Sequence, residues 1–160
     1  QWNWCMRKDG KWVDSTRYAH FQLLGVLAEA QFDLDAARNM YETLKHHTPL
    51  YDAERGQWRC CMNERQVLRR EEERVATAHL FAVLVEAHLD PASARGSYEA
   101  LKLTNLYDTV NKQWNYSISE NQQLESSNRY ARNQLLGILV ETMLINSLCL
   151  TRPPLPPGAA

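Results

Sequence analysis

"QLLGVLAEA" (22–30), "HLFAVLVEA" (79–87) and "QLLGILVET" (134–142) are one segment written three times, and that recurrence decides the fold. In each, a Gln or His stands seven residues before a Glu inside a run that is otherwise apolar. The flanks recur in step. Gln1-Trp2, Gln57-Trp58 and Gln113-Trp114 are spaced by 56 residues, "PLYD" ends at Asp52 and "NLYD" at Asp108, and "YETLK" from Tyr41 answers "YEALK" from Tyr98. Self-similarity at such a period marks an array in which each unit buries its apolar face against the next. The copies fall at about 1–48, 49–104 and 105–150 and make one repeat domain, followed by a Pro-rich tail at 151–160. The first copy opens in mid-unit, without an "LYD", and the third has no "YEALK".

Within a unit, the apolar segment reads as an inner helix that begins near Ser15-Thr16 or Ser126-Ser127, where hydroxyls can cap free amides. Asp33 and Asp90 read as N-caps of a second helix, with Pro91 at its first position. There Leu34, Ala37, Met40, Tyr41 and Leu44 share one face, while Asp35, Arg38, Glu42 and Lys45 take the other. This second helix lies outside the first. Between hairpins, Trp2, Trp4 and Met6 alternate with other residues up to the turn signal Asp9-Gly10, after which Lys11-Trp12-Val13 returns. Such a ribbon is marginal alone and leans on the helices. The fold class is therefore all-α: tandem helical hairpins joined by short β-hairpin ribbons.

Composition narrows the partners. Of 160 residues 44% are apolar and 23% charged, with a formal charge of −1, so neither nucleic acid nor an anionic membrane is an expected partner. No apolar run reaches bilayer length. Four cysteines with no Cys-x-x-Cys neither staple the chain nor build a zinc knuckle, and Cys5, Cys60, Cys61 and Cys149 read as reduced thiols of a cytoplasmic setting. A Cys5–Cys61 bridge requires that repeat neighbours bring the two α-carbons within roughly 7 Å. His46-His47 closes the second helix, and His79, Glu86 and His88 lack the spacing of a zinc motif, so no metal and no cofactor are expected.

Hairpins strung on "LYD…GQW" ribbons resemble the units of α/α-toroid proteins, the six-hairpin glycosidases and the N-acylglucosamine 2-epimerase-like sugar enzymes. Leu50-Tyr51-Asp52, Gly56-Gln57-Trp58, Leu106-Tyr107-Asp108 and Gln113-Trp114 carry the resemblance, and Lys112 departs from it where Gly56 stands. A closed toroid takes more hairpins than this chain holds, so the resemblance implies a fragment, an open solenoid or a partner in a composite ring. It brings over no catalytic residue.

The candidate site is the polar stripe of the inner helix. Tyr18, Gln22, Gly25 and Glu29 share a face, as do Val75, His79, Ala82 and Glu86, and Tyr130, Gln134, Gly137 and Glu141. In one reading Glu29, Glu86 and Glu141 supply paired carboxylates for general acid and base chemistry on a sugar. Tyr18, Gln22, His79, Tyr130, Gln134, Trp4, Trp58 and Trp114 then bind the ligand. In the other, small residues let inner helices approach while each Gln or His satisfies a neighbouring Glu. The second fits a repeat better, because a catalytic pair breaks repeat symmetry. The leading function is thus a binding or assembly module that presents its inner helices to another protein or a second copy. The alternative is a carbohydrate-processing enzyme of glycosidase or sugar-epimerase type.

Overall fold

The computed structural model of the chain describes residues 5–6, 12–14, 16–63, 65–69 and 73–150. The first unit runs through β1 (Cys5–Met6), β2 (Trp12–Asp14) and β3 (Arg17–Tyr18) into the helical hairpin α1 (Ala19–Glu29) and α2 (Leu34–His46). The second comprises β4 (Tyr51–Asp52), β5 (Gln57–Trp58), β6 (Cys61–Met62), β7 (Leu68–Arg69), β8 (Arg74–Val75), α3 (Ala76–Leu89) and α4 (Pro91–Lys102). The third holds β9 (Tyr107–Asp108), β10 (Gln113–Trp114), β11 (Ser117–Ile118), β12 (Leu124–Ser126) and the single helix α5 (Ala131–Leu150).

Inner helices α1, α3 and α5 pack side by side, and α2 and α4 lie outside on α1 and α3. The central α3 feeds both apolar clusters. Ala78, Ala82 and Val85 join the cluster of the first hairpin, and Leu80, Val83 and Leu84 join the cluster formed with α4 and α5. A helix with partners on every side has no solvated stripe to write into its sequence. The outer helices do have one: Ala37, Tyr41 and Leu44 of α2, and Ala94, Tyr98 and Leu101 of α4, are buried. Leu34 departs from the expected buried face and is 44% exposed.

The description all-α is too coarse. The strands are more than hairpins leaning on helices, because they tie the units together. In one three-stranded sheet β6 lies between β3 and β7, with Arg17 opposite Met62 and Tyr18 opposite Cys61. In the next, β11 lies between β8 and β12, with Arg74 opposite Ile118 and Val75 opposite Ser117. The two residues ahead of each of these inner helices thus pair with the following unit's ribbon.

The expected helix starts are corrected. α1 begins at Ala19, not at Ser15-Thr16, and α5 begins at Ala131, Ser126 being the last residue of β12. Strand pairing holds residues 17–18 and 74–75 extended, and ribbon carbonyls replace a hydroxyl cap: the Ala19 amide donates to Cys60 O at 3.0 Å and the Ala76 amide to Tyr116 O at 3.0 Å. The outer helices start as expected. Asp33 Oδ1 accepts from the amides of Asp35 and Ala36, and Asp90 Oδ1 from those of Ala92 and Ser93.

The Asp of each "LYD" anchors the ribbon. Asp52 is buried and receives Arg59 Nη2 at 3.0 Å and the wholly buried Arg74 Nη2 at 3.2 Å. Burial alone would raise its pKa, but the Arg55 amide and the guanidiniums of Arg59, Arg55 and Arg74 outweigh burial and hold the carboxyl below the usual range. Asp108 receives Arg129 in the same way. At the ribbon turn, Lys112 takes the left-handed φ of 55° where Gly56 has 65°, so the backbone keeps the shape even where the sequence departs from it.

Candidate functional site

The stripe splits into two jobs. In the second and third copies its His or Gln clamps a ribbon tryptophan through the backbone. His79 is buried; its Nδ1 bonds the Val75 carbonyl at 3.0 Å and its Nε2 accepts from the Trp58 amide at 3.2 Å, which assigns the neutral Nδ1–H tautomer. Burial, and secondarily Arg74, bring its pKa down to about 4, against the opposing pull of the Val75 carbonyl. Gln134 does the same work twice, accepting from Trp114 N at 2.9 Å and donating to Trp114 O at 2.8 Å. At His79 and Gln134 the expected bond to a neighbouring Glu is therefore corrected, since both side chains bond the ribbon backbone instead.

The glutamates are held by tyrosines of the preceding outer helix. Tyr41 Oη donates to Glu86 Oε1 at 2.6 Å, and Tyr98 Oη to Glu141 Oε1 at 2.9 Å. Burial, then the carboxylate, raises both phenol pKa values far above the ordinary. Lys45 lies over the rings of Tyr41 and Tyr51, and Lys102 over those of Tyr98 and Tyr107. Trp58 and Trp114 complete each aromatic nest and are 3% exposed, so their faces pack rather than stand open. Glu86 lines one cavity of about 330 Å³ and Glu141 another of about 420 Å³, and neither of these two cavities holds a second of the three glutamates. Glu29 is half-buried with no side-chain partner among the described residues, Gln22 is buried, and Trp4 lies outside the described residues. The Cys5 and Cys149 side chains also lie outside them, while Cys60 and Cys61 are buried. Gly137 corrects a further expectation. A Cβ there would meet the Trp114 indole, so the close approach it permits is to the ribbon, not to a neighbouring inner helix.

A different arrangement occupies the N-terminal ends of the inner helices. A cavity of about 220 Å³ is lined by Tyr18, His20, Phe21, Thr77, Tyr116 and Arg132, with Cys60 and Val75 behind. The second residues of α1, α3 and α5 meet there as His20, Thr77 and Arg132, three side chains of unlike chemistry at one repeat position. Burial, and then the Arg132 cation, lower the His20 pKa to about 4, so the imidazole is neutral at pH 7; its Nδ1 is buried without a partner. Arg132 lies 5.3 Å over the Tyr130 ring and 6.0 Å over Tyr116, a placement that keeps a cation at the cavity edge. Thr77 Oγ1 donates to Asn133 Oδ1 at 2.7 Å, leaving the buried Asn133 Nδ2 unpaired. Of the residues singled out in the sequence, Tyr18 lines this cavity and Tyr130 flanks it; His20, Thr77, Arg132 and Asn133 were not foreseen. Their signal was available, because two positions before Gln22, His79 and Gln134 the repeats diverge. Among the described residues no three or more His, Cys, Asp or Glu come together as a metal ion would need, and no helix is long and apolar enough to cross a membrane.

Two cellobiose 2-epimerases are among the solved structures that share this architecture. Cellobiose 2-epimerase from Spirochaeta thermophila DSM 6192 superposes with a TM-score of 0.67 at 16% identity, over 86% of this chain and 40% of that one. Cellobiose 2-epimerase from Bacillus thermoamylovorans B4167 gives 0.65 at 13% identity, over 86% of this chain and 42% of that one. The chain has an α/α-toroid-like fold. It spans about two fifths of the length of these toroids. No family description and no curated relative matches the sequence.

Proposed function

We propose that this toroid-like chain binds a carbohydrate in the cavity at the N-terminal ends of α1, α3 and α5, and supplies part of a sugar-processing site. One observation carries the reading: the helix ends of three repeats meet in one cavity, and there they bring the unlike side chains His20, Thr77 and Arg132 to one repeat position. Each group suits a polyhydroxylated ring. Tyr18, Phe21 and Tyr116 offer aromatic faces to its C–H groups, and Arg132 offers donors to its oxygens. The neutral imidazole of His20 can take a proton from a hydroxyl or from a carbon beside a carbonyl. The cavity is below the usual drug-sized range of roughly 300–1,000 Å³ and suits a single ring. Both fold neighbours are sugar epimerases, which agrees with this class of ligand.

The test is a titration of the chain with aldoses and cellobiose, followed by NMR, with solvent-deuterium uptake into the sugar read in parallel. Millimolar binding that is lost in both His20→Ala and Arg132→Ala but kept in Glu86→Gln is the expected result. Binding that survives the first two substitutions, or no binding at all, overturns the reading. The assembly reading is favoured by a separate observation: Leu135, Ile138, Leu139 and Ile145 of α5 are exposed.

A further inference from the structure

We propose that the cavity between α3, α4 and the β4–β5 ribbon binds a small organic ammonium, held by Glu86 with Gln57 and Gln122 beside it. This cavity shares no lining residue with the one at the helix N-terminal ends. It rests on neither the sugar reading nor the assembly reading.

The first ground is a set of polar atoms without partners. Glu86, Gln57 and Gln122 all line the cavity of about 330 Å³. In each, one side-chain oxygen is shut from solvent and has no hydrogen-bond partner: Glu86 Oε2, Gln57 Oε1 and Gln122 Oε1. Buried polar atoms are normally paired, so three such acceptors around one cavity mark a missing donor. The two amides can turn either end inward, but the Glu86 carboxylate offers only oxygens. Its Oε1 accepts from Tyr41, and no Lys or Arg among the described residues forms an ion pair with it. A buried carboxylate without a cation is costly, and a ligand cation is what it lacks.

The second ground is a comparison inside the chain. In the cavity of about 420 Å³ one unit on, Tyr107, Trp114 and Glu141 stand where Tyr51, Trp58 and Glu86 stand here. That cavity carries its own cations. Lys102 and Lys112 both line it, and Lys102 Nζ lies 3.9 Å from Glu141 Oε1. Around Glu86, Gly56 takes the place of Lys112. Lys45, the equivalent of Lys102, lies over the Tyr41 and Tyr51 rings, makes no ion pair with Glu86 and does not line the cavity. Arg55 is the only Lys or Arg among the described lining residues, and its Nη1 lies 3.4 Å from Asp52 Oδ2. The carboxylate that has a lysine in one unit has a cavity beside it in the other.

The ligand class follows. An ammonium brings three N–H donors and a charge to the acceptors, and a charge-assisted bond to Glu86 is the strongest of them. Val83, Leu101 and Leu106 give an apolar body something to pack on. The volume falls within the roughly 300–1,000 Å³ usual for small-molecule sites.

Titration of the whole chain with benzylammonium and with its neutral counterpart benzyl alcohol, followed by NMR, tests this. Saturable millimolar binding of the ammonium is expected, with the alcohol weaker by about tenfold or more. Glu86→Gln removes the charge but keeps an acceptor for Tyr41, and is expected to weaken ammonium binding by about tenfold or more. Gly56→Lys leaves the Tyr41 bond intact and installs the cation of the other unit. Lys112 already takes that backbone φ, and a Cβ at Gly56 meets only Tyr51 Oη at 3.8 Å, so the variant is expected to fold and to lose binding. Glu99→Gln removes the same charge from the exposed side of α4 and is expected to bind as the parent does. Circular dichroism checks that each variant is folded. No saturable binding of the ammonium, equal binding of the alcohol, or undiminished binding in Glu86→Gln or Gly56→Lys overturns the proposal. None of these variants alters His20 or Arg132, so this site and the sugar site can fail separately.

Discussion

His79 and Gln134 occupy one repeat position and hold one kind of backbone, but only the imidazole couples that grip to protons. An unfolded His takes up a proton near pH 6.5, while His79 in the fold resists until about pH 4. Its contribution to stability is whole above about pH 6.5 and is lost as the pH falls toward 4, because the unfolded chain binds the extra proton there. His20 adds to the same slope for the same reason. Replacing His79 with Gln keeps an acceptor for the Trp58 amide and removes one titrating group. Urea unfolding from pH 7 to 4 is expected to show a slope shallower by about 1.4 kcal/mol per pH unit at most. An unaltered slope would mean that the imidazole is protonated in the fold. From the sequence, Gln22, His79 and Gln134 were legible as equivalent polar positions, but their partner was not. A side chain on a helix can bond whatever tertiary packing lays beside it, and here that is a ribbon backbone 20 or 21 residues away in the chain.

At the scale of the element, the inner helix is shaped by the ribbon that crosses it. Ala82 and Gly137 are equivalent, yet at Gly137 the Trp114 indole already fills the place of a Cβ. Trp114 is buried, with its backbone clamped by Gln134, and cannot swing aside freely. Gly137→Ala is therefore expected to destabilise the chain by about 1–3 kcal/mol, as overpacking does, despite the better helix propensity of Ala. A denaturation midpoint equal to or above that of the parent would show that the indole yields. The capping aspartates of the outer helices were readable because an N-cap bond spans two or three residues. The starts of α1 and α3 were not, since their first amides are satisfied by carbonyls 41 and 40 residues downstream.

Over the whole molecule, each unit is locked to the next by a tyrosine of an outer helix and a glutamate of the following inner helix. Tyr41–Glu86 and Tyr98–Glu141 are separate links with no shared residue. In a linear array such links contribute independently. Tyr41→Phe and Tyr98→Phe are each expected to cost about 1.5–3 kcal/mol, the range for a hydrogen bond to a charged group, and the double variant their sum to within about 0.5 kcal/mol. A double variant much milder than the sum would mean that one unit unfolds ahead of the others.

The sequence by itself determined the period, the hairpins and the order of inner and outer helices, because each is a local pattern repeated along the chain; the toroid-like class entered as a resemblance, which the fold then supported. Burial on all sides of α3 left no solvated face to read, so the partners of Glu86 and Glu141 and the cavity of His20, Thr77 and Arg132 were decided only by the tertiary structure. Those contacts join different units, and a repeat states what its copies share. Where three copies meet, it is their differences that come into contact.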